Sequence, residues 1–172
     1  GLTNSTIQVK DAMSQYGQSG LHLDGHSRGA MTIGNALESQ AKTNDTQGNL
    51  NQTTINFFGP AYNAQQADNL LNPMQDRQRL PAAQQPATVL QFQNHAVDPV
   101  GGLVGQNPST GGTIPEGSSP AREAVRAGTG QPDTAHNCYG KSSAKACGEF
   151  WQDTGRFPAY IPASSAPAKE VP

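Results

Sequence analysis

The sequence predicts a small α/β fold: a mostly parallel sheet with helices on its faces and one long Gly/Pro-rich loop. Three observations predict it. Short β-branched or aromatic runs alternate with segments whose apolar residues recur at helical spacing, the order that builds a parallel sheet covered by helices. A Gly-x-Ser-x-Gly sequence, Gly25 to Gly29, falls between the first such run and the helical segment behind it. The 19 glycines and 13 prolines gather in the second half of the chain, which marks much of that half as loop.

Asn4 is placed to cap a first helix, with apolar Val9, Ala12, Met13 and Tyr16 at i, i+3, i+4 and i+7 and Gly17 suited to end it. After the turn Gln18-Ser19-Gly20, Leu21 to Asp24 reads as a strand. Ala30, Ile33, Gly34, Leu37 and Ala41 then recur at helical spacing, which puts Ser27 in the turn between strand and helix. Polar residues 42–53 lead to a second strand, Thr54-Ile55-Asn56-Phe57-Phe58, stopped by Gly59-Pro60, and Ala64 to Leu71 follows as a short helix. Beyond the breakers from Pro81 to Pro86, Thr88-Val89-Leu90-Gln91-Phe92 is the third strand, marked by its β-branched and aromatic content.

Residues 101–134 form the long loop, expected to be ordered because structureless loops of that length are uncommon in compact domains unless functional. Within it, Ser119 caps and Pro120 opens one short helix through Arg126. The organisation expected is one domain over residues 1–161 and a flexible C-terminal tail over 162–172, where prolines stand among small residues.

Composition narrows the function. A chain of 172 residues supports one domain with a real core. Eleven basic against thirteen acidic residues give a net charge of -2 with no Lys/Arg cluster, which disfavours a nucleic-acid partner. No apolar run approaches the roughly 20 residues that cross a bilayer, and no basic start with an apolar stretch marks a signal peptide. The start Gly1-Leu2-Thr3 lacks Met, as expected of a piece of a longer parent that would carry any export signal. No acidic cluster suggests a metal, and no cofactor is implied. Cys138 and Cys147 either pair, which points to an oxidising compartment, or remain thiols.

The chemistry resides in Gly25-His26-Ser27-Arg28-Gly29. In a G-x-S-x-G nucleophile elbow the serine backbone is strained, and the flanking glycines let strand and helix approach closely. The turn sets Ser27 at a helix N-terminus, where the Arg28 N–H is one oxyanion-hole donor. A serine needs a histidine base, itself oriented by a carboxylate. His22 in the strand and His26 inside the elbow read as structural. The order Ser, acid, His found in α/β-hydrolases selects Asp98 and then His136. His95 is the alternative base and Asp133 the alternative acid.

These residues resemble lipases of the fungal, class-three type, within the α/β-hydrolases. Gly25 to Gly29 resembles their G-H-S-x-G elbow, Ile55 to Pro60 their next strand, and Asn94 to Val100 the segment that ends in Asp-Pro-Val. The likeness runs from about Asn4 to His136, with the elbow and Asp-Pro-Val its specific parts. It implies a small or truncated α/β-hydrolase-like sheet, a triad of Ser27, Asp98 and His136, and a lipid or other carboxylic ester as substrate. The family's early strands, and the loop that supplies its second oxyanion donor, have no counterpart before Gly1. Arg28 stands where the family usually has Leu, and in that form Gly25 to Leu37 also resembles the C-terminal regions of large bacterial secreted adhesins of the filamentous haemagglutinin type. That likeness implies a secreted or cell-surface parent, delivery into target cells as a toxin of contact-dependent inhibition, and a cognate immunity protein as partner. The alternative expectation is a non-catalytic interaction or toxin module that retains the hydrolase architecture.

Overall fold

A computed structural model describes residues 2–43, 46–76, 90–139, 145–152 and 160–165. The elements in chain order are α1 (Asn4–Tyr16), β1 (His22–His26), α2 (Arg28–Ala41), β2 (Thr54–Phe58), α3 (Ala64–Gln75), β3 (Gln91–Gln93), α4 (Pro120–Gly128) and β4 (Ile161–Pro162). They make an open, mostly parallel α/β sheet in the order β1-β2-β3-β4. β1, β2 and β3 run parallel, and β4 returns antiparallel along β3.

The register explains which face meets the helices. Leu23 lies opposite Ile55, Gly25 opposite Phe57, and Phe57 opposite Phe92, so these residues share one face. Apolar side chains of all three longer helices join them in one core, among them Met13, Ile33, Leu37, Leu71 and Met74. The other face carries His22, Asp24 and His26 beside Asn56 and Phe58. Parallel sheets are ordinarily apolar on both faces because helices cover both. Here, among the described residues, one face is apolar and the other, Phe58 apart, is polar, and α1, α2 and α3 share a core with the apolar one.

Several local expectations change as well. The α1 cap is Thr3, whose side chain accepts from the Thr6 N–H, rather than Asn4. Tyr16, expected on the buried stripe, is exposed. α3 runs on to Gln75 through Pro73. The third strand covers only Gln91–Gln93, and Thr88 and Val89 lie outside the described residues. The flexible tail does not begin at Pro162: that residue pairs with Gln91, and Ala163 is buried after donating its N–H to Leu90. Ser119 and Pro120 open α4 as expected, with Ser119 Oγ accepting from the Arg122 N–H. Beyond the sheet, Val97, Ala135, Cys138, Cys147, Phe150 and Trp151 form a second, smaller core with Tyr139 against it.

Candidate active site

Ser27 stands between β1 and α2 with φ 56° and ψ −120°. A non-glycine residue with positive φ is strained by about 1–3 kcal/mol and persists only where its surroundings hold it. They do so on both sides. The Ser27 N–H donates to the Phe58 carbonyl at 3.1 Å, and its carbonyl accepts from Ala30 at 3.2 Å and Ala61 at 3.1 Å. The hydroxyl makes no capping hydrogen bond, so Oγ is not engaged in starting the helix. Arg28 and Gly29, the first two residues of α2, have N–H groups with no acceptor inside the helix and the positive end of its dipole behind them.

The two glycines of the motif differ. A Cβ on Gly25 would lie 2.8 Å from the Ala30 nitrogen and 3.0 Å from Ile33 Cδ1, so close packing of α2 against β1 requires glycine there. A Cβ on Gly29 would meet nothing within 4 Å. The expectation that both glycines serve strand–helix approach therefore holds for Gly25 and is corrected for Gly29.

Asp98 and His136 are side by side: His136 Nδ1 lies 3.0 Å from both carboxylate oxygens. Asp98 is 2% exposed and His136 8%. Burial alone would raise the Asp98 carboxyl; the hydrogen bond and charge of His136, with the Tyr139 hydroxyl and the Gly101 N–H, outweigh it and hold the group below its ordinary value. Asp98 is thus an acceptor only, and His136 Nδ1 must carry the proton. In the neutral imidazole that leaves the Nε2 lone pair as the base.

Tyr139 is a third member of this cluster. Its hydroxyl donates to Asp98 Oδ2 at 2.5 Å and accepts from the His95 N–H at 2.9 Å. Burial, followed by the charge of Asp98 and the hydrogen bond to it, pushes the phenol well above its ordinary value, so it remains a donor. Asp98 Oδ1 accepts in turn from the N–H groups of Val100 at 2.8 Å and Gly101 at 3.1 Å.

The segment that carries His136 is tied down at several points. Glu123, 1% exposed on α4, accepts from the Ala135 N–H at 2.9 Å while pairing with Arg126 at 2.8 Å. His26 Nε2 donates to the His136 carbonyl at 2.6 Å, and the two rings stack with centroids 4.7 Å apart. Cys138 is disulfide-bonded to Cys147, with Cα atoms 5.3 Å apart, and its carbonyl accepts from Trp151 Nε1. Gly59, at φ 47°, leaves the clearance in which Asp98, Tyr139 and His136 meet.

The alternative partners lie elsewhere. His95 is a buried core residue: Nε2 donates to the Phe150 carbonyl at 2.7 Å, Nδ1 accepts from the Val97 N–H, and the ring packs edge-on to Phe150 and Trp151. Asp133 pairs with Arg126 at 3.5 Å. His22 and Asp24 hydrogen-bond to each other and to Asn56 on the polar sheet face. The structure therefore brings Asp98 and His136 into contact and sets their partner histidine, His26, directly before Ser27. Among the described residues the side-chain hydrogen bonds of His136 run to Asp98 alone, and no group of His, Cys, Asp and Glu residues could hold a metal ion. No described helix is long and apolar enough to cross a membrane.

Sequence reasoning missed Tyr139 and Glu123. Tyr139 follows the short 3-10 turn Ala135–Asn137 that carries His136, and no local spacing marks it. Nothing local marks Glu123, whose partner Ala135 comes from a separate segment. No protein-family model, curated protein or solved structure matches the chain.

Proposed function

We propose that the protein is a serine hydrolase that cleaves carboxylic esters through an acyl-enzyme at Ser27. The observation that carries this is the strained backbone of Ser27 at the end of β1, one residue from a His26 ring stacked on His136, which Asp98 orients. Ser27 Oγ attacks the ester carbonyl as His136 Nε2 takes its proton. The carbonyl oxygen becomes an oxyanion, stabilised by the Arg28 N–H and the start of α2. His136 returns the proton to the leaving alcohol as the C–O bond breaks. Water then repeats the sequence on the acyl-enzyme, giving the free acid and Ser27. Asp98 stabilises the transient imidazolium without accepting its proton. The hydrogen bond between Ser27 and His136 that this chemistry requires forms when substrate is bound, since catalytic contacts are often long or poorly aligned in unliganded sites.

Lipids or other carboxylic esters are the substrate class, on the likeness to class-three lipases. The second likeness, through Gly25 to Leu37, gives the role: a toxin region of a large secreted bacterial adhesin, delivered into target cells and neutralised by an immunity protein. A disulfide between Cys138 and Cys147 suits passage through an oxidising compartment. One observation favours a second reading, a binding module that keeps the architecture: the His136 side chain has no hydrogen bond to Ser27 among the described residues. A fluorophosphonate probe separates the two. Hydrolase chemistry predicts covalent labelling that Ser27→Ala abolishes; a folded chain that resists the probe and turns over no ester is the binding module.

A further inference from the structure

His26 sits inside the elbow, where its side chain is free to vary without affecting the turn, yet it makes the one side-chain hydrogen bond described here between the nucleophile's strand and the base's loop. The His136 carbonyl can only accept, so the 2.6 Å contact fixes the proton on His26 Nε2. The ring lies over that of His136 at 4.7 Å and 28°, and 6.0 Å from Tyr139. The other ties of this loop come from elsewhere: Glu123 from α4, and the disulfide and Trp151 from the small core.

We infer that His26 is a positioning residue of the site, setting the His136 imidazole relative to Ser27. Asp98 holds Nδ1 but leaves the ring able to pivot about that nitrogen. Stacking sets the plane of the ring, and the bond to the His136 carbonyl sets its height above β1. Because Ser27 follows His26 directly, both contacts act as a spacer between nucleophile and base. Partial burial, which outweighs the bond to the His136 carbonyl and the charge of Asp98, lowers His26 from its ordinary value of 6.5. A ring that is harder to protonate repels the His136 imidazolium of the reaction less. Among the described residues, the titratable groups that face His26 are His136, Asp98 and Tyr139.

The role presupposes the hydrolase chemistry proposed above, so the test begins with wild-type protein. Fluorophosphonate labelling and p-nitrophenyl butyrate turnover are measured for the full chain and for His26→Ala, His26→Gln and His26→Phe, with melting temperatures alongside. His26→Ala is expected to lower kcat by about 10- to 100-fold, the scale of a misplaced catalytic group, with KM changed less than twofold. His26→Gln, which keeps a donor, and His26→Phe, which keeps the ring, each recover part of the loss. Full kcat in His26→Ala overturns the inference, as does a loss that follows melting temperature with no recovery in either conservative variant. Where His26→Ala does not fold, full kcat in both other variants overturns it. An inert wild-type chain refutes the hydrolase proposal itself and the inference with it.

Discussion

Gly59→Ala tests how the site is built, because it perturbs Asp98 and His136 without removing either. The substituted Cβ would stand 2.4 Å from Asp98 Oδ2, 2.9 Å from Tyr139 Cε2 and 3.1 Å from His136 Nδ1. Ordinary contact begins near 3.4 Å, so the carboxylate must retreat by about 1 Å. A retreat of that size breaks the Tyr139 hydrogen bond or the His136 contact with Oδ2, which converge on the same oxygen, and shifts the imidazole that Oδ1 also holds. Alanine must also adopt φ 47°, at a cost of about 1–3 kcal/mol. For a chain of this length that lowers the melting temperature by several degrees. A displacement of about 1 Å in catalytic geometry lowers turnover about a hundredfold. The assay is ester turnover together with thermal melting, and Gly29→Ala is the stability control. At Gly29 the space is open, so alanine in that exposed first turn leaves the melting temperature unchanged or slightly raised. Wild-type turnover and melting in Gly59→Ala would refute the claim that this clearance holds the acid and base together.

Two further outcomes follow from the same cluster. Reducing the Cys138–Cys147 bond releases a short loop, a loss of about 2–3 kcal/mol of loop-closure stabilisation. Cys138 lies two residues from His136, so turnover and probe labelling are expected to fall together while the far-ultraviolet helical signal persists; full activity at a verified count of two free thiols contradicts this. The second outcome concerns Asp98, whose folded pKa lies below the ordinary 3.8. Its contribution is therefore fully present above pH 3.8 and is lost as pH falls through the folded value. Asp98→Asn should melt below the wild type at neutral pH, with the gap closing below pH 3.8; a constant gap down to pH 2 removes Asp98 as a source of that stability.

Local rules made much of the fold legible. Thr54 to Phe58 is a strand end to end because β-branched and aromatic residues precede a Gly-Pro stop, and α4 starts where Ser and Pro direct it. Ser27 was legible because the elbow needs a strand before it and a helix after it, both short-range signals. The chain order of acid and base also gave the two residues that meet, although order alone left His95 and Asp133 in play. What kept their side chains away from Ser27, Asp98 and His136 was tertiary: the His95 ring is enclosed by Phe150 and Trp151 from the far end of the chain, and Arg126 takes Asp133. Pro162 misled because prolines among small residues read as a tail, whereas an edge strand tolerates proline wherever its missing N–H faces outward. Glu123 was invisible for a related reason. Its spacing on α4 indicates only an ion pair with Arg126, and its bond to Ala135 exists only once the loop has closed.

The division of the apolar interior has a consequence for how the site fails. Ser27 belongs to the larger core, through Ala30, Ile33 and Leu37 of α2. Asp98 and His136 are held by the smaller one, through Tyr139, Val97, Ala135, Cys138 and Trp151. Ser27 and the Asp98–His136 pair are therefore stabilised by different sets of contacts, bridged at His26 and by the backbone bonds of Ser27 to Phe58 and of Gly59 to Gln93. Local opening of a protein follows its least stable contiguous unit, and a core of half a dozen side chains with one disulfide is the weaker unit. Mild denaturant should thus separate His136 from Ser27 before α1, α2 and α3 unfold, so that activity is lost at a lower concentration than helical structure. The strain at Ser27 survives that step because the bonds that impose it, to Phe58, Ala30 and Ala61, lie at the edge of the larger core.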